Sequence, residues 1–295
     1  MRSIEIVRKA GGKRVIRENY MENADGTRLR YLTFSGFEEL GMIRHALTTR
    51  EGGVSRGCYA SMNLSDTMGD DPDDVKKNYE RFMKTLGVGK DRVVCTDQKH
   101  TATVRVVTEA DAGKGVIYER DFSFVDGLVT NVRGLALAIF ASDCVPLYFV
   151  DPVKGAIGVA HSGWRGTISR IGQVTVEKMA GEYGTDPKDL VCAIGPSICH
   201  DCYEISADVA EEFMREFPGH EREILTDDGK DPNTSEHKYH LDLWETNRIV
   251  LEEAGVLPSK IQITDVCTKC NHELLFSHRV AGRSRGNNAG FLMLE

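Results

Sequence analysis

Apolar and polar positions fall in short blocks along this chain, and the period of the pattern changes several times. In the first 40 residues, brief apolar stretches around Gly11-Gly12 and Asp25-Gly26 predict short strands joined by turns. Between Asp71 and Leu86 the period becomes helical, with Val75, Tyr79, Phe82, Met83 and Leu86 on one face. Asp71 suits the cap of that helix, Pro72 its first turn and Gly87 its termination. Three continuous apolar runs follow further on, Leu135–Phe140, Val145–Val150 and Ala156–Ala160, separated by Ser142-Asp143 and Asp151-Pro152. Runs this short and this apolar read as strands buried on both faces.

The second half predicts a helix from about Thr167 to Glu182 and a strand over Leu190–Ile194 that ends at Gly195-Pro196. Helices are expected over Ala207–Phe217 and over Leu241–Glu253, the latter ended by Gly255, and strands over Ile261–Val266 and Gly290–Leu294. The intervening stretch from Pro218 to His240 is polar and charged, and predicts a mobile loop. No strict strand-helix-strand rhythm exists, so the fold class expected is α+β. No repeat, linker or composition shift marks a boundary, which predicts a single domain over 1–295.

Composition adds limits to this pattern. Hydrophobic residues at 41% and charged residues at 28% are ordinary for a chain that buries a core. The net charge of −8 and pI near 5.7 argue against a nucleic-acid partner, which needs a basic footprint, while leaving room for a small anion held by local arginines. The longest apolar stretch, Leu135 to Val150, is broken by Ser142, Asp143 and Pro146, so no membrane partner is expected. The basic opening residues lack the apolar core of a signal peptide, and a cytoplasmic protein is the expectation. Its eight cysteines then read as thiols, metal ligands or a nucleophile. Nothing in the surface pattern chooses between monomer and homodimer.

Reactive side chains cluster at three apolar-run ends: Gln98-Lys99-His100, Ser142-Asp143-Cys144, and His161 through Gly166. His100, Cys144 and His161 could supply three ligands to zinc with a fourth position open, as in catalytic sites. Their intervals, with 43 and 16 residues between, are too long for a local zinc motif, and a core cysteine with two hydrogen-bonded histidines is the simpler explanation from residue types alone. Asp143, wedged between apolar runs, is expected to pair, with Arg165 the candidate, or to act as an acid or base, or to bond its own turn. Gly163 and Gly166 could aim backbone amides at an anion. The Thr49–Ser55 turn carries Arg50, a phosphate or carboxylate binder or simply a solvated arginine. Cys199/Cys202 and Cys267/Cys270 form two C-x-x-C pairs near His272. The 64 residues between the pairs exceed the usual gap of a zinc ribbon, and small buried thiols are the preferred reading. No P-loop, G-x-G-x-x-G or H-E-x-x-H pattern occurs.

Taken together, the stretches TTREGGVSRGCYASMNLSDTMGDDPDDVKKNYERF, DQKHTATV, VDGLVTN, ASDCVPLYFVDP, AHSGWRGT, AIGPSICHDCYEI and DVCTKCNHELLFSHR resemble the YfiH/YlmD family. These proteins, once described as laccase-domain polyphenol oxidoreductases, are assigned as purine nucleoside phosphorylases. The resemblance runs in the family order from about Ala46 to Arg279. The tail GRSRGNNAGFLML follows the family pattern only loosely, so the resemblance assigns no role to Arg283 or Arg285. It implies an α+β fold of mixed sheets flanked by helices, related to toxin deamidases, and a zinc ion held by His100, Cys144 and His161. It implies phosphorolysis of adenosine, inosine, guanosine and methylthioadenosine, with adenosine deamination besides. Within that chemistry, Arg165 and Arg50 are the expected phosphate holders and Asp143 the expected proton carrier. Two alternatives stand beside it: a copper-dependent polyphenol oxidase, and a thiol hydrolase or amidase with Cys144 as nucleophile and His161 as base.

Overall fold

A computed structural model describes residues 4–9, 14–65, 67–230 and 237–295; the expected Gly11-Gly12 turn lies outside them. Two six-stranded sheets carry the molecule. The first has the order β1 (Ile16–Glu22), β2 (Arg28–Phe34), β3 (Ile43–Thr48), β15 (Asn288–Leu294), β7 (Ala136–Ala141) and β4 (Val93–Cys95). All its pairs are antiparallel except β4 with β7. The second runs β14 (Ile261–Ile263), β10 (Val191–Ile194), β8 (Val145–Asp151), β9 (Ala156–Ser162), β6 (Gly127–Thr130) and β5 (Val104–Val106), antiparallel in the middle and parallel at both edges.

The strand period of two decides which core each side chain joins. In β7, Leu137 and Ile139 face the second sheet, while Ala136 and Ala138 face the helix Pro72–Phe82. In β9, Ile157 and Val159 face the first sheet, while Ala156 and Ala160 face the helices Ile171–Tyr183 and Leu243–Glu253. The result is four layers, helix on sheet on sheet on helices. β7, β8 and β9 are covered on both faces, which explains why they read as continuous apolar runs. The sheets meet closely at Gly290, where an added Cβ would fall 1.8 Å from the Tyr148 hydroxyl, so only glycine fits.

The early helix forms where its signals lie. Asp71 accepts the Asp73 amide at 2.9 Å, Pro72 opens the first turn, and Gly87 takes a left-handed φ of +70° past a short 3₁₀ turn, Met83–Thr85. Two expectations are corrected. The helix expected from Thr167 begins earlier and is broken: Trp164–Ile168 and Ile171–Tyr183 flank Arg170, whose left-handed φ of +54° turns the chain. The Arg170 guanidinium bridges Glu216 and Glu253, which ties that turn to two other helices. The Pro218–His240 segment is also more regular than expected. It holds a short helix, Glu221–Ile224, and the strands β12 (Leu225–Lys230) and β13 (His237–Leu241), which pair with each other, β13 pairing on its other side with β11 (Glu204–Ser206). β12 is mostly exposed and β13 half-buried, and they carry His237–Asp227 and His240–Asp228 contacts at 2.5 Å each, so no apolar alternation announces them. Among the described residues no helix is long and apolar enough to cross a membrane.

Candidate metal centre and its cavity

Sheet register builds the centre. β8 pairs with β9 so that Val145 lies opposite Ser162, which places Cys144 and the end of β9 side by side. β6 pairs with β9 so that Gly127 lies opposite Ala160, which leaves Asp126 beside His161. The His161 amide donates to the Asp126 carbonyl at 2.8 Å, and His161 Nδ1 meets Asp126 Oδ1 at 2.9 Å. A carboxylate on Nδ1 fixes the proton there and leaves Nε2 as the nitrogen with a lone pair to give. The same carboxylate accepts the amides of Lys99, His100 and Thr101 at 2.9–3.0 Å, so it also ties down the turn in which His100 adopts a φ of +60°.

His100, Cys144 and His161 are thereby brought together: one donor atom from each lies within 4.8 Å of the others. Gly163 closes on this group. A Cβ there would stand 2.7 Å from His100 Nδ1 and 3.0 Å from Cys144 Sγ. Two imidazoles, one thiol and a neighbour reduced to a hydrogen atom fit a transition-metal ion with a further position left for water or substrate. Neighbouring groups set the charges here. Burial opposes charge on His161, but Cys144 and Asp126 outweigh it and raise its pKa to about 9. Burial likewise opposes charge on Asp126, yet the His161 bond and the converging amides hold it at about 2. His100 is pushed below its ordinary value, first by burial and then by His161.

The group opens into a cavity of about 520 Å³, a size suited to a small organic ligand. Phe140, Trp164 and Tyr203 give it aromatic walls, and Lys99, Arg120, Arg279 and Arg285 give it positive ones. Arg285 is held by Gly286 O and Asn287 Oδ1 through Nη1, at 3.1 and 2.6 Å, while its buried Nε has no partner among the described residues.

The other expected site residues are distributed differently. Asp143, at φ +90° in the tight turn before Cys144, does line the cavity. It is not paired with Arg165. Its carboxylate accepts Thr268 Oγ1 at 2.5 Å, Ser277 Oγ at 3.1 Å and the Arg279 amide at 2.6 Å. Arg165 is exposed and stacks over Trp164, 4.0 Å from the ring centroid. Arg50 stands away from the cavity lining: it donates to Ala60 O and His272 O at 2.9 Å and lies over Phe276. Asp126, Arg120, Arg279 and Arg285 were missed as site residues. Only Asp126 had a sequence signal, a lone carboxylate entering the apolar VDGLVTN stretch. Residues 282–286 read GRSRG, which matches the letters of G-x-S-x-G, but they lie between a four-residue helix and β15, without the strand-to-helix elbow of a serine hydrolase. The two C-x-x-C pairs, read as small buried thiols in preference to a zinc site, come together into one group of four sulfurs.

Comparison with known proteins agrees with this architecture. Residues 44–295 match the family described as multi-copper polyphenol oxidoreductase laccase. The purine nucleoside phosphorylase YlmD of Geobacillus stearothermophilus is 39% identical over 252 residues, which cover 83% of this chain and 87% of that protein. Adenosine deaminase RL5, from an unknown prokaryotic organism, is 35% identical over 243 residues, covering 82% of this chain and 90% of that one. The crystal structure of YlmD from G. stearothermophilus superposes with a TM-score of 0.82 and 34% identity, over 95% of this chain and 100% of that chain.

Proposed function

The chain belongs to the multi-copper polyphenol oxidoreductase laccase family, and we propose that it acts within that family as a purine nucleoside phosphorylase with adenosine deaminase activity. The observation that carries the proposal is the cavity itself: a His-Cys-His donor group on one wall, aromatic side chains between, and guanidinium groups around it. Those walls suit the three parts of the reaction, a planar base, a ribose and an anion. The substrates proposed are adenosine, inosine, guanosine and methylthioadenosine, with inorganic phosphate.

The metal proposed is zinc, because two imidazoles and one thiolate match its preference and leave a position open. When bound, it supplies Lewis acidity, which makes water nucleophilic near neutral pH or polarises the purine. Copper also takes such donors. A multi-copper oxidase, however, needs further histidine clusters, and among the described residues only His100 and His161 join any donor group. The thiol-hydrolase reading has one observation behind it, the Cys144–His161–Asp126 order. It leaves His100 and the bare Gly163 without a purpose, so the metal reading is preferred.

Residue roles follow from the contacts. Asp126 orients His161 and the His100 turn. Trp164, Tyr203 and Phe140 hold the base flat. Arg285 and Arg279, on the cavity wall, hold phosphate, and Arg165 contributes charge from the rim beside Trp164. In phosphorolysis an oxygen of hydrogen phosphate bonds to C1′ as the bond from C1′ to the purine nitrogen breaks, and the proton that the phosphate brought ends on the purine. Asp143 already accepts three hydrogen bonds, so it is assigned the positioning of Cys144 and Arg279 in place of proton transfer. Arg50 is assigned a structural role. The whole chain is proposed to work as one catalytic unit, in the cytoplasm.

The test is incubation of zinc-loaded protein with adenosine, with and without phosphate, and chromatography of the products. Adenine and ribose 1-phosphate that require phosphate establish the phosphorylase, and inosine without phosphate the deaminase. Neither product from fully metallated protein overturns the proposal. In that case alkylation of metal-free protein by iodoacetamide at Cys144, with loss of amidase activity, is the result the thiol reading requires. His100→Ala is expected to lose the metal of this His-Cys-His centre and both activities together.

A further inference from the structure

On the far side of the Asp143 turn from the cavity, the two C-x-x-C pairs face each other. Cys199 and Cys202 span a short 3₁₀ turn that follows β10, and Cys267 and Cys270 lie in the turn that follows β14. β10 and β14 run parallel, and the pairing continues past both strands as a bridge between Ser197 and Cys267. The 64 intervening residues are therefore irrelevant in space: two parallel neighbours present their following turns at the same end.

All four sulfurs lie within 4.8 Å of one another, and Cys202 Sγ is 3.6 Å from Cys270 Sγ. A tetrahedral zinc ion with bonds of about 2.3 Å sets its sulfurs roughly 3.8 Å apart, whereas a disulfide needs about 2.05 Å. The amides of Cys199 and Cys270 both point at Cys267 Sγ, at 3.3 and 3.5 Å, the arrangement of a sulfur that carries negative charge. Four thiolates on one divalent ion leave a net charge of about −2. The Lys9 ammonium, bound to Asp201 at 2.9 Å within the first turn, stands beside that charge.

We propose that Cys199, Cys202, Cys267 and Cys270 form a second, structural zinc site that clamps the ends of β10 and β14. All four positions of such a site are filled by protein, so it has no catalytic opening. Its place still bears on the cavity. Thr268, inside the second pair, donates to Asp143 Oδ1, and Tyr203, directly after the first pair, is an aromatic wall. A redox role fits less well, because neither pair sits at the start of a regular helix.

The test uses full-length protein purified with a mild reductant and no chelator. Zinc is measured by mass spectrometry, and cobalt-substituted protein by absorption. The His100→Ala chain, which lacks the first centre's donor, is expected to retain about one zinc per chain and to show the charge-transfer and ligand-field bands of a four-sulfur tetrahedral cobalt centre. Adding Cys202→Ser and Cys270→Ser is expected to remove both. If the serine variants fail to fold, wild-type protein decides: X-ray absorption must find a zinc population with four sulfur neighbours. A His100→Ala chain without metal, a cobalt spectrum without thiolate bands, or four cysteines recovered as two disulfides from protein kept anaerobic would each overturn the site. None of these readouts depends on nucleoside turnover, so they stand or fall apart from the proposed activity.

Discussion

Gly163 shows how little separates an ordinary turn from a metal centre. Its φ of −72° is open to any residue, so the backbone does not require glycine there. Space does: a methyl group would overlap His100 Nδ1 and crowd Cys144 Sγ. Gly163→Ala is therefore expected to fold, with a circular dichroism spectrum like that of wild type, and to lose metal from this centre and at least about a hundredfold in turnover. Wild-type metal content in that variant would show that the three donors do not act together. Asp126 makes the complementary case. Asp126→Asn keeps the shape but replaces a carboxylate on His161 Nδ1 by a weaker partner, and about a tenfold to hundredfold loss of metal affinity is expected from competition with a chelator.

Among the elements, those with local causes were legible in the sequence. The helix Pro72–Phe82 follows from its cap, its proline and its apolar stripe, and Asp71→Ala is expected to cost about 1 kcal/mol in urea unfolding. The buried strands β7, β8 and β9 were legible because both faces are covered. β12 and β13 were not, since their stability comes from pairing and exposed His–Asp contacts with no apolar period. The site divides the same way. His100, Cys144 and His161 stand out as reactive side chains, yet only the family resemblance joined them, because their meeting depends on the registers of β6, β8 and β9. Arg285 was unreadable for a related reason. It precedes β15, the last strand, and that strand inserts between β3 and β7, which carries the tail to the cavity. If the Arg285 guanidinium on the cavity wall receives phosphate, Arg285→Ala should raise KM for phosphate roughly tenfold to hundredfold with KM for adenosine nearly unchanged. Equal changes in both constants would assign it to general cavity shape.

For the whole molecule, the contact between the two sheets is the feature that every part shares, and it contains a histidine that must stay neutral. His45, on β3, is buried against Phe34 and Phe37, and its Nε2 accepts the Phe34 amide at 2.7 Å. Burial lowers its pKa from 6.5 to about 4. The unfolded chain therefore takes up a proton before the folded one does. The stability contribution is whole above pH 6.5, declines as the pH falls towards 4, and is constant below that, with a total loss of roughly 3 kcal/mol. His45→Gln keeps an acceptor for the Phe34 amide and removes the titration. Urea unfolding of both proteins should accordingly show a gap that moves in favour of the variant as pH drops from 7.5 to 4, on top of whatever constant difference the packing change introduces. A gap that stays constant over that range would mean that His45 is protonated in the folded state, and that the sheets tolerate a cation between them. Their apolar packing, with Tyr148, Leu137 and Val159 in the same core, gives such a cation no counter-charge, so the moving gap is the expected result.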